Sequence, residues 1–270
     1  MKIKVIMIKK YILTEETLEY GNRILHRIKA VKDFGNVKEG DLGGWIESKK
    51  NLTQHGDCWV GGDAKVFDNA TVRDDAWVNN NAEVSKNAKV YGKAMVAHDA
   101  LVTDNAIVGD NAWIGNNADV YENAQVLNNA EVFGNANVGC NAKVLNNAKI
   151  YGKAVVSGHV IVSDNARVFE NSQVYEDAKI CDNGIVLGYA LIGGDAIVTC
   201  SLDYRVFHNN WSSGRYFTWT KSNNKWRVGC FYGTGEELIE KAYKDSEEKG
   251  WYYEQFVKFN EKLANHESLE

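Results

Sequence analysis

From Val60 to Val198 every sixth residue is Val or Ile, with Ile only at Ile114, Ile150, Ile180 and Ile192. Two places before each, from Ala64 to Ala196, stands Ala, except at Val160, Ser172 and Gly184; Cys58 opens the series. In extended backbone alternate side chains share a face, so Ala and Val point inward together and the residue between them points out. The polar pair that follows, most often ending in Asn, supplies a corner, because Asn and Gly accept left-handed backbone angles that β-branched residues resist. Six residues thus make one short strand and one turn. Three such sides close a coil of eighteen residues, and the twenty-four registers predict about eight stacked coils.

This Ala-x-Val-x-x-Asn pattern, unbroken from Cys58 to Val198, resembles the hexapeptide-repeat proteins. The resemblance implies a left-handed parallel β-helix, triangular in section. The hand comes from the resemblance, since the general preference of parallel crossovers is for the right.

Residues eighteen apart lie above one another, so the outer surface reads as columns. One side carries Trp59, Trp77, Met95, Trp113, Glu131, Lys149, Arg167 and Ile185, and beside it run Gly61, Asn79, Ala97, Gly115, Phe133, Tyr151, Phe169 and Leu187. Large apolar groups occupy the first column early and the second late; the other two sides are mixed. A continuous exposed apolar stripe marks an interaction surface. Trp59, Trp77, Met95, Trp113, Phe133, Tyr151, Phe169 and Leu187 are therefore the candidate interface. The resemblance implies a trimer packed along the prisms, whereas the sequence itself requires only closed association through one side, for which a two-fold dimer also serves.

Residues 1–56 hold two alternating stretches around Gly21-Asn22, a hairpin signal, and read as a β-rich cap. The coil follows at 57–200. The register fails at Tyr204, and residues 201–270 read as a hairpin turning at Ser222-Asn223-Asn224, a helix started by a Thr234/Glu237 capping box, and a second helical stretch from about Trp251 to Leu263. The fold class is thus mainly β, a parallel β-helix with a β-rich cap and a small α+β C-terminal domain. The segment GGWIESKKNLTQHGDCWV resembles an uncharacterised group of bacterial and prophage hexapeptide-repeat proteins, and GCFYGTGEEL resembles a small domain of phage-encoded proteins. Together they imply a phage or prophage origin.

Charge is uneven along the chain. Residues 1–56 carry 11 Lys/Arg against 7 Asp/Glu (+4), and residues 57–200 carry 10 against 18 (−8), within a total of −5. An acidic rod is a poor binder of nucleic acid, whose phosphates demand a basic surface. The five cysteines show no zinc-type spacing and no disulfide framework, so reduced thiols and a cytoplasmic location, the host cytoplasm for a phage product, are expected. The apolar run of residues 5–8 is too short for a signal-peptide core, and no stretch approaches a membrane span. No cofactor or metal is expected.

Many hexapeptide-repeat proteins transfer acyl groups with a histidine base and wall the site with a loop extruded from a coil. Here the register contains no inserted residue, and its only histidines, His98 and His159, stand at different corners, several coils apart. No histidine pair or three-histidine zinc site forms within one chain. The expectation is therefore a non-enzymatic phage binding protein, an inhibitor of host defence that sequesters a nucleotide signal or occludes a host protein. A structural or assembly scaffold and an acyltransferase-like enzyme are the alternatives. For a nucleotide, Arg215, Trp219, Trp226 and Arg227, with Arg205 and Lys225 nearby, offer cations and stacking rings.

Overall fold

A computed structural model describes residues 9–211 and 213–267; the apolar run at 5–8 lies outside them. Two-residue strands succeed one another from Trp59–Val60 to Ile197–Val198, each pairing in parallel with the strand eighteen residues on, as Met95 with Trp113 and Val96 with Ile114. They build three sheets, the sides of a left-handed parallel β-helix. We name the sides in chain order: the Trp side (Trp59 to Ile185), the second side (Lys65 to Leu191) and the third side (Thr71 to Ile197). Every repeat Val and Ile is fully buried along the bore, with the alternating Ala, in one continuous core.

The stack has about nine turns, one more than the repeat predicts. After the antiparallel hairpin of β1 (Tyr11–Tyr20) and β2 (Arg23–Ala30), strand β3 (Leu42–Ile46) pairs with β2 on one edge and in parallel with Lys65–Val66 on the other. Ile46 thereby stands under Val66, and Leu52 bridges to Val72. The first turn is drawn from the segment read as cap. Its spacing hides it: Ile46 and Val66 are twenty residues apart, and the excess lies between Leu52 and Val60. Gly44 fills the Ala position, where a Cβ would fall 2.5 Å from the Ala64 carbonyl oxygen.

The N–H groups of the residues that flank each bore position run one way between coils, whereas a bore residue's own N–H runs back, as that of Val72 does to the Asn51 carbonyl. The N–H of Trp77 donates to the Ala94 carbonyl and that of Asn79 to Val96, each to the next coil toward the C-terminus. The first turn therefore presents an excess of carbonyls without donors, and the last an excess of N–H groups without acceptors; buried and unpaired, each would destabilise by about 1–3 kcal/mol. Side chains of opposite character meet them. At the start, the buried Lys10 ammonium donates to the carbonyls of Gly56 (3.1 Å) and Cys58 (2.8 Å), and the Asn51 amide donates to those of Asp68 and Ala70. At the end, Leu187, Leu191 and Ile197 donate their N–H groups to the hydroxyls of Tyr204, Thr218 and Ser222, one on each side of the prism.

Corners are built on the same logic. The left-handed residue is the second after each bore position, and it is Asp, Glu, Lys, His or Cys as well as Asn or Gly (His98 φ 65°, Glu122 φ 54°). The Asn before each Ala is the residue after it and serves in amide ladders instead, such as Asn69–Asn87–Asn105–Asn123–Asn141. The left-handed position is acidic for a reason of hydrogen bonding. Its side chain accepts the N–H of the equivalent residue one coil on, which points out of the ladder: Asp68 from Lys86, Asp74 from Gly92, Asp104 from Glu122, Asp110 from Asn128, Glu122 from Cys140. Asp164, Glu170 and Glu176 do the same for Asp182, Gly188 and Gly194. Eight of the coil's eighteen carboxylates are accounted for in this way.

The tail is a four-stranded antiparallel sheet, β4 (Tyr204–His208), β5 (Tyr216–Thr220), β6 (Lys225–Val228) and β7 (Phe231–Gly233), then α1 (Gly235–Asp245) and α2 (Glu247–Glu267). Thr234 and Glu237 form the expected capping box. Helix α2 is longer than the apolar spacing indicated, starting before Trp251. Sheet and helices enclose a separate core of Phe217, Trp219, Trp226, Val228, Leu238, Ala242, Tyr253 and Val257. No helix among the described residues is long and apolar enough to cross a membrane.

Asp203 closes the third side by accepting from the Thr199 N–H (2.6 Å), the Thr199 hydroxyl (2.7 Å) and the Cys200 N–H (3.0 Å). Burial pushes its carboxyl up, but the bonds from Thr199 and Cys200 outweigh this and hold it below the usual carboxylate range. A depressed folded value means that this stabilisation is complete above the unfolded value of about 4 and is lost as pH falls through the lower folded one. Asp203→Ala is expected to lose about 1–3 kcal/mol in urea unfolding at neutral pH, with the difference from wild type shrinking as the solution is acidified below the carboxylate range.

Candidate functional site

The aromatic side of the prism is less bare than its letters imply. Trp59 is 4% exposed, covered by the cap through an edge contact with Phe34 and by the approach of Gly43. Trp113, Phe133, Tyr151 and Phe169, one per coil, stack on one another: Phe133 and Tyr151 lie 5.0 Å apart and nearly parallel, Tyr151 and Phe169 4.7 Å apart. Their faces satisfy each other and mainly their rims meet water. The open part of the stripe is Met95 at 46% exposure and Leu187 at 40%, with Trp77 half-buried between Trp59 and Met95.

In the tail the four residues read as a ligand cluster do not form one open site. Trp219 and Trp226 are 3% and 2% exposed, inside the tail core. Arg227 is spent on the coil, donating to both carboxylate oxygens of Glu176 at 2.7–2.8 Å, and Arg205 lies over the Trp219 ring and donates to Asn260. Arg215 stands apart from them at the exposed start of β5. Stacking groups in a sequence cluster became core because the sheet turns its alternate side chains toward the helices.

The two histidines differ in what their nitrogens do. His98 sits at the corner between the Trp side and the second side, and its Nδ1 accepts the Asn116 N–H at 3.3 Å, so the lone pair of the neutral ring is occupied. His159 takes the place of an Asn at the end of an amide ladder, at the corner between the second and third sides. Its Nδ1 lies 3.7 Å from the Asp177 carboxylate and its Nε2 3.3 Å from the Asn141 amide. A carboxylate only accepts, so Asp177 favours the proton on Nδ1, and the Nε2 lone pair then accepts from the Asn141 amide at an exposed corner. Sequence reasoning paired neither histidine; the signal was the eighteen-residue step from His159 to Asp177. No group of three or more potential metal ligands forms among the described residues.

This corner has a wall, though no coil extrudes a loop. The tail closes over its next coils: the Asn223 amide donates to Asp195 (3.0 Å) and to the Tyr232 hydroxyl, Tyr232 lies against Gly194, and Arg227 holds Glu176, the neighbour of Asp177. Glu176 is pushed up by burial, yet Arg227 and the Gly194 N–H bring it below the usual range, so it stays charged beside the site.

No known protein-family profile matches the chain. Over 60 residues it is 37% identical to a protein of Escherichia coli (strain K12) named "Uncharacterized acetyltransferase YdcK", a likeness covering 19% of this chain and 18% of that one. The matched part is thus under a fifth of the relative's length. This finding overturns the expectation that the chain is not an enzyme, which rested on the missing loop and the unpaired histidines. The relative is a bacterial chain, and its name adds nothing in favour of a phage origin or an anti-defence role.

The ring ladder gives a direct prediction. Tyr151→Ala removes two stacked pairs at about 0.5–1.5 kcal/mol each, so urea unfolding should show a loss of about 1–3 kcal/mol, while Tyr151→Phe should stay close to wild type.

Proposed function

We propose that the protein is an acyl-transfer enzyme of the hexapeptide-repeat kind, with His159 as general base and Asp177 as the residue that orients it. The observation that carries this reading is the His159–Asp177 pair at a corner bounded by the tail, and the likeness to a protein named as an acetyltransferase supports it. The acceptor hydroxyl or amine displaces the Asn141 amide from His159 Nε2, which takes the acceptor's proton as that group attacks the carbonyl carbon of an activated acyl donor. The bond from carbonyl carbon to leaving group then breaks, and the imidazolium returns the proton to the leaving group. Both side chains are largely exposed, 71% and 74%, which leaves room for a bulky acceptor.

A second reading concerns assembly and follows from the exposed Met95 and Leu187: copies of the chain associate through the Trp side. That side faces away from the His159 corner, so such association leaves the corner open.

Thiol release from acetyl coenzyme A, measured with a panel of amine and hydroxyl acceptors, tests the enzyme. His159→Ala should lower the rate about 10²–10⁴-fold with an unchanged melting temperature, Asp177→Asn should lower it less, and His98→Ala should leave it intact. Wild-type release no faster than background, or equal release by His159→Ala, removes the reading. For assembly, Trp77→Glu should reduce the molar mass in solution to that of a monomer; a wild type already monomeric ends that idea.

A further inference from the structure

Where the tail meets the last coils, three rings stack. His208 and Tyr216 lie 4.3 Å apart and Tyr216 and Tyr189 4.3 Å apart, each pair within 11° of parallel. Both faces of Tyr216 are taken, and Tyr189 ends the stack at 49% exposure. One coil before Tyr189, the same column holds Asn171, which is too short to continue the stack. A recess of about 200 Å³ opens there, and the polar residues lining it include Asn171, Gln173 and Arg215 beside Tyr189 and Tyr216. The Tyr175 hydroxyl donates to Gln173 Oε1, which leaves the Gln173 NH₂ to donate.

Arg215 also lines a second recess, of about 100 Å³, on the helix side of the sheet. Its side chain lies beside Gly229, Nη1 3.5 Å from where a Cβ would stand, and no hydrogen bond joins its guanidinium to a described residue. Lys241, Lys249 and Asp245 share this recess; Lys249 bonds to Asp245, and Lys241 lies over the Phe231 ring. Three cations and one carboxylate give a local charge of +2 in a chain of −5. That excess is matched by one phosphomonoester of about −1.5 to −2, and clefts lined by one sign of charge concentrate the opposite ion. A nucleic-acid strand would need many such contacts, whereas these two recesses have room for a single small ligand.

We propose that the recess between coil and tail and the helix-side recess, which share Arg215, together bind a phosphorylated nucleoside, its base stacked on Tyr189 above Asn171 and Gln173 and its phosphate held by Arg215 and Lys241. Tyr189 supplies the free ring face, the two carboxamides read the base edge, and Arg215, lining both recesses, joins the two halves of the site. The sequence placed such a ligand on Trp219, Trp226 and Arg227, which the fold buries or spends; only Arg215 remains of that cluster. The proposal does not rest on acyl transfer, and its test does not measure it.

Isothermal titration of the full chain with the 5′-monophosphates of adenosine, guanosine, cytidine and uridine should show saturable binding of at least one. The matching nucleoside and inorganic phosphate should each bind at least tenfold more weakly. Arg215→Ala combined with Lys241→Ala should weaken nucleotide binding at least tenfold with no change in melting temperature, since both side chains are outside the tail core. Tyr189→Ala should weaken the nucleotide but not inorganic phosphate. Absence of binding by all four nucleotides, binding untouched by the double variant, or phosphate bound as tightly as the nucleotide overturns the proposal.

Discussion

The direction of the inter-coil hydrogen bonds governs the rest of this molecule. Because the N–H groups flanking each bore position donate toward the C-terminus, the prism has unlike ends, one richer in free carbonyls and one richer in free N–H groups, and neither can be left buried and unpaired. The two terminal segments are chemically specialised to suit. An ammonium and a carboxamide, Lys10 and Asn51, supply protons at the start, while three hydroxyls and the Asp203 carboxylate receive them at the end. Exchanging the two caps would place the Asp203 carboxylate against carbonyls and the Lys10 ammonium against N–H groups. Cap and tail are therefore part of the coil's backbone chemistry as well as covers for its bore.

The same accounting reaches the corners and the charge of the protein. A left-handed corner residue has an N–H that leaves the strand ladder, and an Asp or Glu one coil below accepts it. Eight of the coil's eighteen carboxylates are thus structural, which makes its acidity a weak guide to partners. That acidity leaves the positive recess around Arg215 as a local exception that the global charge does not foreshadow.

What the letters revealed and concealed divides along this line. Period six with Val and Ala inward fixes the bore, the three sides and the stacking register, because those depend on side-chain alternation alone. The ninth turn was concealed because Ile46 and Leu52 precede an eight-residue step to Val60, and Gly44 stands in for Ala. The stripe from Trp59 to Leu187 was located, but its exposure was overstated: column reading gives vertical neighbours and not ring orientation, so the mutual stacking of Phe133, Tyr151 and Phe169 was lost. In the tail, Trp219 and Trp226 are indistinguishable by sequence from ligand-stacking rings, and only the pairing of β5 with β6 shows that they turn inward together.

The His159 corner is one of the places where the repeat departs from its own rule, as it also does at Lys93 and Lys153. Four successive amide–amide bonds run up that corner to Asn141, and then His159, Asp177 and Asp195 replace the Asn residues. Gly158 also stands in the left-handed position, as Gly92, Gly134 and Gly152 do elsewhere, so it offers no side-chain acceptor of the kind Glu122 and Glu176 provide in its column. A sequence selected for coil stability alone would keep Asn and an acidic residue there. Local rules broken without a structural gain are concentrated at functional sites, and here the break coincides with an imidazole that faces a carboxylate and with the coils that the tail encloses. A rigid prism offers no motion with which to assemble a site. Its chemistry must then be set by which side chain occupies a fixed corner and by what the tail holds beside it.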